Sequence, residues 1–171
     1  MPVTYNKIAS VTVGSGGAVS MDFNSIPATY DDLILKLSGR FNNDPFGAAW
    51  GDALLQINGS TASLSSRLLV GNGSSAVSAS SSDFTIRINS SATTANTFTN
   101  IEIMFPNYRS STNKSFSMDL AIENNATTAR NELSAGLRSN TAAITSLSIV
   151  GQFSSNFVQH STAVLYGISR T

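Results

Sequence analysis

The chain has 171 residues, ten basic and ten acidic side chains for a net charge of zero, and no cysteine. These counts exclude disulfides, thiolate chemistry and the usual zinc sites, and they leave no basic excess of the kind that nucleic acid recognises. A chain of this length fits one domain, 1–171, burying roughly 70% of its unfolded surface around a single core.

Polarity comes from Ser, Thr and Asn, 61 of the 171 residues. Short uncharged side chains hydrogen-bond well to neighbouring backbone, and a near-neutral surface has little repulsion to keep copies apart, which suits assembly into something larger. No apolar run approaches the roughly 20 residues that span a bilayer, and "MPVTYNKIAS" lacks the charged start and apolar stretch of a signal peptide. Neither membrane nor nucleic acid is an expected partner.

Strand patterns dominate from the first residues onward. Gly14-Ser15-Gly16-Gly17 could suggest a phosphate loop, but no Lys follows and the next residues, Ala18 to Phe23, alternate as another strand. A phosphate cradle needs a helix N-terminus after the glycines, so the expectation is a hairpin turn with positive φ. Period-2 alternation continues through Leu33, Leu35 and Leu37, then Ala53, Leu55 and Ile57, then Phe84, Ile86 and Ile88. It recurs at Ile101–Phe105, Phe116–Ile122, Leu133–Leu137, within "ITSLSIVGQF", and at Val164–Ile168. One face of each run is apolar and the other polar, as in antiparallel sheet packed on one side.

Turn residues separate the runs at Asn58-Gly59, Gly71-Asn72-Gly73, Pro106-Asn107 and Asn124-Asn125. Segment 71–82, "GNGSSAVSASSS", reads as a flexible loop. A short helix or turn could begin at Asp44-Pro45. The fold class is all-β: an antiparallel two-sheet β-sandwich, jelly-roll-like, of about ten strands.

Residues for chemistry are sparse, and no cofactor is expected. His160 is the only histidine and lies just before the last strand, with no G-x-S-x-G elbow to supply a nucleophile. Acidic residues are available at Asp31, Asp32, Asp44, Asp52, Asp83, Glu102, Asp119 and Glu123, but spacing selects no pair for glycoside hydrolysis. Asp44 and Asp52 are the residues that "NNDPFGAAWGD" could offer a hard cation. Five Asn-x-Ser/Thr sites in so Ser/Thr-rich a chain are near the number expected by chance.

Aromatic residues on loops form the one candidate contact set: Phe41, Phe46, Trp50 and Tyr108. They could stack on sugar rings beside Asn42, Asn43 and Asp44, anchor a protein interface, or plug the open end of the sandwich.

The order Tyr5-x-Lys7-Ile8-Ala9-Ser10-Val11-Thr12-Val13, then Gly16-Gly17-Ala18, then "F-x-S-I-P-x-T-Y-x-D-L" from Phe23 to Leu33, and a closing Leu165-Tyr166-Gly167-Ile168, resembles small virion structural proteins of tailed bacteriophages. The matched portion is the first 40 residues and the last seven. The resemblance implies a jelly roll that serves as a head decoration (cement) protein, commonly a homotrimer bound to the major capsid protein, or as a tail-fibre module. It implies a location in the virion after assembly in the host cytoplasm, and brings no catalytic residues with it. On that reading Ile8, Val11, Val13, Val19, Met21 and Phe23 build one edge of the core, and Ile26-Pro27 turns the chain into Leu33–Leu37. A glycan-binding β-sandwich recognising a host surface is the alternative from a different class.

Overall fold

The structure, a computed structural model, describes residues 4–43, 48–124 and 129–169. The expectations placed on Asp44, Pro45, Phe46 and Asn125 fall outside these residues. Twelve strands form in chain order: β1 Thr4–Thr12, β2 Ser20–Phe23, β3 Asp32–Gly39, β4 Trp50–Ile57, β5 Leu64–Gly71 and β6 Ala76–Ser81. They are followed by β7 Thr85–Asn89, β8 Thr99–Phe105, β9 Lys114–Glu123, β10 Ala129–Arg138, β11 Leu147–Gly151 and β12 Thr162–Ser169.

All pairings are antiparallel. One sheet has eight strands in the order β1-β12-β3-β8-β9-β10-β5-β6; the other has four, β2-β11-β4-β7. Setting β5, β6, β9 and β10 aside, the remaining strands pair first with last (β1 and β12), second with seventh (β2 and β11), third with sixth (β3 and β8), and fourth with fifth (β4 and β7). That nested order, rolled into two four-stranded sheets, is the jelly roll. Of the added strands, β9 still packs opposite β7, the edge of the small sheet, and β10, β5 and β6 extend the large sheet beyond it.

Alternation explains the core. Leu33, Leu35 and Leu37 of β3, Leu55 and Ile57 of β4, Ile101, Ile103 and Phe105 of β8, and Phe116, Met118, Leu120 and Ile122 of β9 meet Met21, Phe23, Ile86, Ile88, Leu147 and Ile149. Val13 is buried, and Ile8 and Val11 pack partly against this cluster, whereas Val19 is 59% exposed and does not join it. The turn after β1 has the expected positive φ: the Gly17 amide donates to the Gly14 carbonyl at 3.1 Å, with Gly17 at φ +71°. The expected hairpin is corrected: the turn joins strands of different sheets and is therefore a crossover. A side chain at Gly17 would also meet the Phe157 carbonyl oxygen, 3.0 Å from the Cβ position.

Two further sequence expectations are corrected. Segment 71–82 is not a free loop: Ala76–Ser81 pairs along the whole of Leu69, Val70 and their neighbours as the edge strand β6. In β10, Leu133 and Leu137 point outward, while Glu132, Ser134 and Arg138 are buried on the inner side. The reason is local. The inner face of β10 lies past the edge of the small sheet, where it meets polar groups of the rim. Glu132 accepts from Arg130 Nη2 at 2.6 Å and from Ser134 Oγ at 2.7 Å, and at Gly136 the Phe116 ring fills the space.

Candidate functional site: the outer face of the eight-stranded sheet

The registers place one row of side chains across the outer face. Lys36 of β3 lies opposite Glu102 of β8, Glu102 opposite Asp119 of β9, Asp119 opposite Leu133 of β10, Leu133 opposite Leu69 of β5, and Leu69 opposite Ser78 of β6. The next row carries Ser117, Ala135, Arg67 and Ser80. The β3 end is polar, with a Lys36–Glu102 ion pair at 2.9 Å. That exposed pair adds little to stability.

The β10 end is apolar. Leu133 is 58% exposed, Leu69 53% and Leu137 39%. Arg67, Leu69, Ser117, Leu133 and Ala135 line an open depression of about 420 Å³. Arg67 is exposed and donates to the Ser66 carbonyl at 2.8 Å. Among the described residues neither Arg67 nor Asp119 has an ion-pair partner. Leaving two directly opposed leucines more than half exposed forgoes about half of the roughly 1.5–3 kcal/mol that full burial of each side chain supplies. Contiguous apolar surface kept at that cost marks association surfaces.

Among the described residues the aromatic set does not assemble into a platform. Phe41 is fully buried, its ring 4.7 Å from that of Phe157. Tyr108 is fully buried, its hydroxyl donates to the Pro27 carbonyl, and burial raises its pKa above the ordinary value. Neither can touch a partner: their rings close the ends of the sandwich, the packing role that loop aromatics next to strands can also fill. Trp50 is half-buried at the start of β4, with the Arg130 guanidinium over one face of its ring, 5.2 Å from the ring centre. Phe46 lies outside the described residues.

Other candidates resolve into structure. His160 is an exposed turn residue at φ +73° whose amide donates to Val13. Asp31 pairs with Arg109 at 3.2 Å, Asp32 is buried and accepts from the Asn107 amide, and Asp52 pairs with Arg87. Among the described residues no three His, Cys, Asp or Glu side chains gather as a metal site, and no helix is long and apolar enough to cross a membrane.

The sequence marked Leu133 and Leu137 as an alternating strand face and Asp119 as one of eight acids, gave none of them a contact role, and did not single out Leu69 or Arg67. Alternation located β10 but is blind to which of its faces turns inward. The available signal was the other half of the alternation: Glu132, Ser134, Gly136 and Arg138 are poor core residues for the apolar interior of a sandwich, yet they alternate as regularly as the leucines.

No family model matches the chain, and no curated protein does. Among solved structures, a fructofuranosidase variant from Schwanniomyces occidentalis, complexed with fructosylnystose, aligns at 10% identity with a TM-score of 0.25. The alignment covers 99% of this chain and 33% of that one, so the chain spans about a third of the enzyme's length. A likeness of that size transfers neither fold nor activity.

Proposed function

We propose that this chain is a non-enzymatic structural protein of a bacteriophage virion, a decoration protein that binds the outside of the head in several copies. The observation that carries the reading is the reversed β10, which turns Leu133 and Leu137 outward beside Leu69 on a broad sheet face. A domain with no partner gains nothing from that arrangement, whereas a protein that works by covering junctions between neighbours needs such a face. Jelly-roll topology, the balanced charge and the resemblance of the first 40 and last seven residues to small virion proteins support the same reading. Weak contacts suffice when one oligomer touches several capsomers, because effective concentration multiplies them.

Gold-labelled antibody against the protein on intact particles from its source tests the proposal by electron microscopy. Label distributed over the head is the expected result. Label confined to the tail would favour a tail-fibre or glycan-recognising module, and unlabelled particles would remove the virion role.

A further inference from the structure

The outer face of β9, β10 and β5 is charge-complementary to itself. Asp119 and Arg67 lie on opposite sides of β10, in neighbouring rows: Asp119 is level with Leu133, and Arg67 is level with Ala135. The midpoint between them therefore falls on β10, between Leu133 and Ala135. With strands about 4.8 Å apart and alternate residues about 6.8 Å apart, the two positions are related by an offset of about 12 Å centred on that point. A two-fold axis lying in the plane of the face through that midpoint, perpendicular to the offset, exchanges the two positions.

We propose that a second copy of this chain covers this face, related by that two-fold axis. Each Asp119 then meets the Arg67 of the other copy, and Leu133 of each copy packs against Leu69 of the other. The proposal rests on reading the face as an association surface and names its occupant. A two-fold interface of this kind is isologous, so one favourable charge pair occurs twice and one leucine contact occurs twice. Both charges come to the pairing without an ion partner of their own in the described chain, and the leucines exclude water between the two pairs, the setting in which rim charges add specificity. The pair is two-fold, where the resemblance implied a three-fold assembly.

Sedimentation equilibrium of the purified full chain over micromolar to millimolar concentrations tests this with charge exchange. Wild type is expected to form dimers. Arg67→Glu and Asp119→Arg each place two like-charge pairs at the contact and are expected to weaken the dimer about tenfold or more. The double variant, R67E with D119R, restores opposite charges and is expected to recover most of the wild-type affinity. Unchanged circular dichroism and melting temperature establish that each variant folds; if one single variant does not fold, the other gives the same reading. A monomeric wild type, a trimer, or a dimer indifferent to both single substitutions would overturn the proposal. Failure here is separate from failure of the virion role: head labelling with a monomer in solution keeps the role and points to a capsid protein at this face. A charge-dependent dimer without particle labelling keeps the dimer and removes the role.

Discussion

Three buried cations hold the ends of the sandwich, and each donates to backbone carbonyls rather than to an acid, although Arg138 Nε stays without a hydrogen-bond partner. Arg40 Nη1 donates to the Thr94 and Thr97 carbonyls, both at 3.0 Å, and Nη2 to that of Thr93, fastening the connection between β7 and β8. Arg138 donates to the Ile57 carbonyl at 2.5 Å. Lys114, 1% exposed, donates to the carbonyls of Ser110 at 2.7 Å and Thr141 at 3.3 Å, and also to that of Thr112. Loop carbonyls left over at strand ends must find donors, and long cationic side chains reach several at once. None of this was legible in the sequence, since a Lys opening an alternating strand reads as a solvent-facing residue.

Burial, and then repulsion from Arg138 directly across the ladder, lower the Lys114 pKa below its ordinary 10.5. The folded chain therefore releases this proton at lower pH than the unfolded chain. Between the lowered value and 10.5 the unfolded state binds more protons, so the penalty for burying the charge is relieved as pH rises through that window. Tyr108 acts in the opposite direction above pH 10, because its raised pKa keeps the folded hydroxyl protonated after the unfolded one has ionised. Comparing wild type with Lys114→Met isolates the lysine. Urea midpoints measured from pH 8 to pH 10.5 should shift in favour of wild type as pH rises, and a difference independent of pH would contradict this account.

At the scale of elements, alternation was a good guide wherever a strand faces the small sheet. The runs in β3, β4, β8 and β9 were legible because each buries every second residue against the opposite layer. It was a poor guide beyond the small sheet's edge. In β6 all but the last residue are exposed, so "AVSASS" has no apolar stripe to reveal it. In β10 the inner row is Glu132, Ser134, Gly136 and Arg138. Gly136 sits opposite Phe116, whose ring stacks on Phe105 at 5.1 Å and lies 4.8 Å from that of Phe84. A Cβ at Gly136 would stand 2.3 Å from the Phe116 ring, and moving that ring disturbs both of its neighbours. Gly136→Ala should therefore cost about 1–3 kcal/mol, the range for overpacking a core. At Gly16 nothing lies within 4 Å of a Cβ, so Gly16→Ala should change stability by no more than about 0.5 kcal/mol. Equal urea midpoints for the two variants would mean that the Phe116 ring does not depend on the missing side chain.

For the whole molecule, the sandwich was legible because seven of the eight nested strands carry their own alternation, whereas β1, whose register slips between Lys7 and Ala9, was marked only by the resemblance. The outward leucine face proposed for association was not legible, because direction across a sheet depends on what lies beneath it, and the small sheet ends at β7. The aromatic residues drew attention in the sequence for their size, yet Phe41 and Tyr108 fill the interior. The surface that remains for contact is built of leucines flanked by one arginine and one aspartate.

Sedimentation velocity of wild type and Leu133→Lys, over the same concentration series, tests most directly whether the outward leucines exist for association. The substitution lies on an exposed strand position and removes no core contact, so the variant should sediment as a monomer throughout while wild type moves faster with increasing concentration. Indistinguishable, concentration-independent sedimentation of the two proteins would contradict the claim that this face joins copies of the chain.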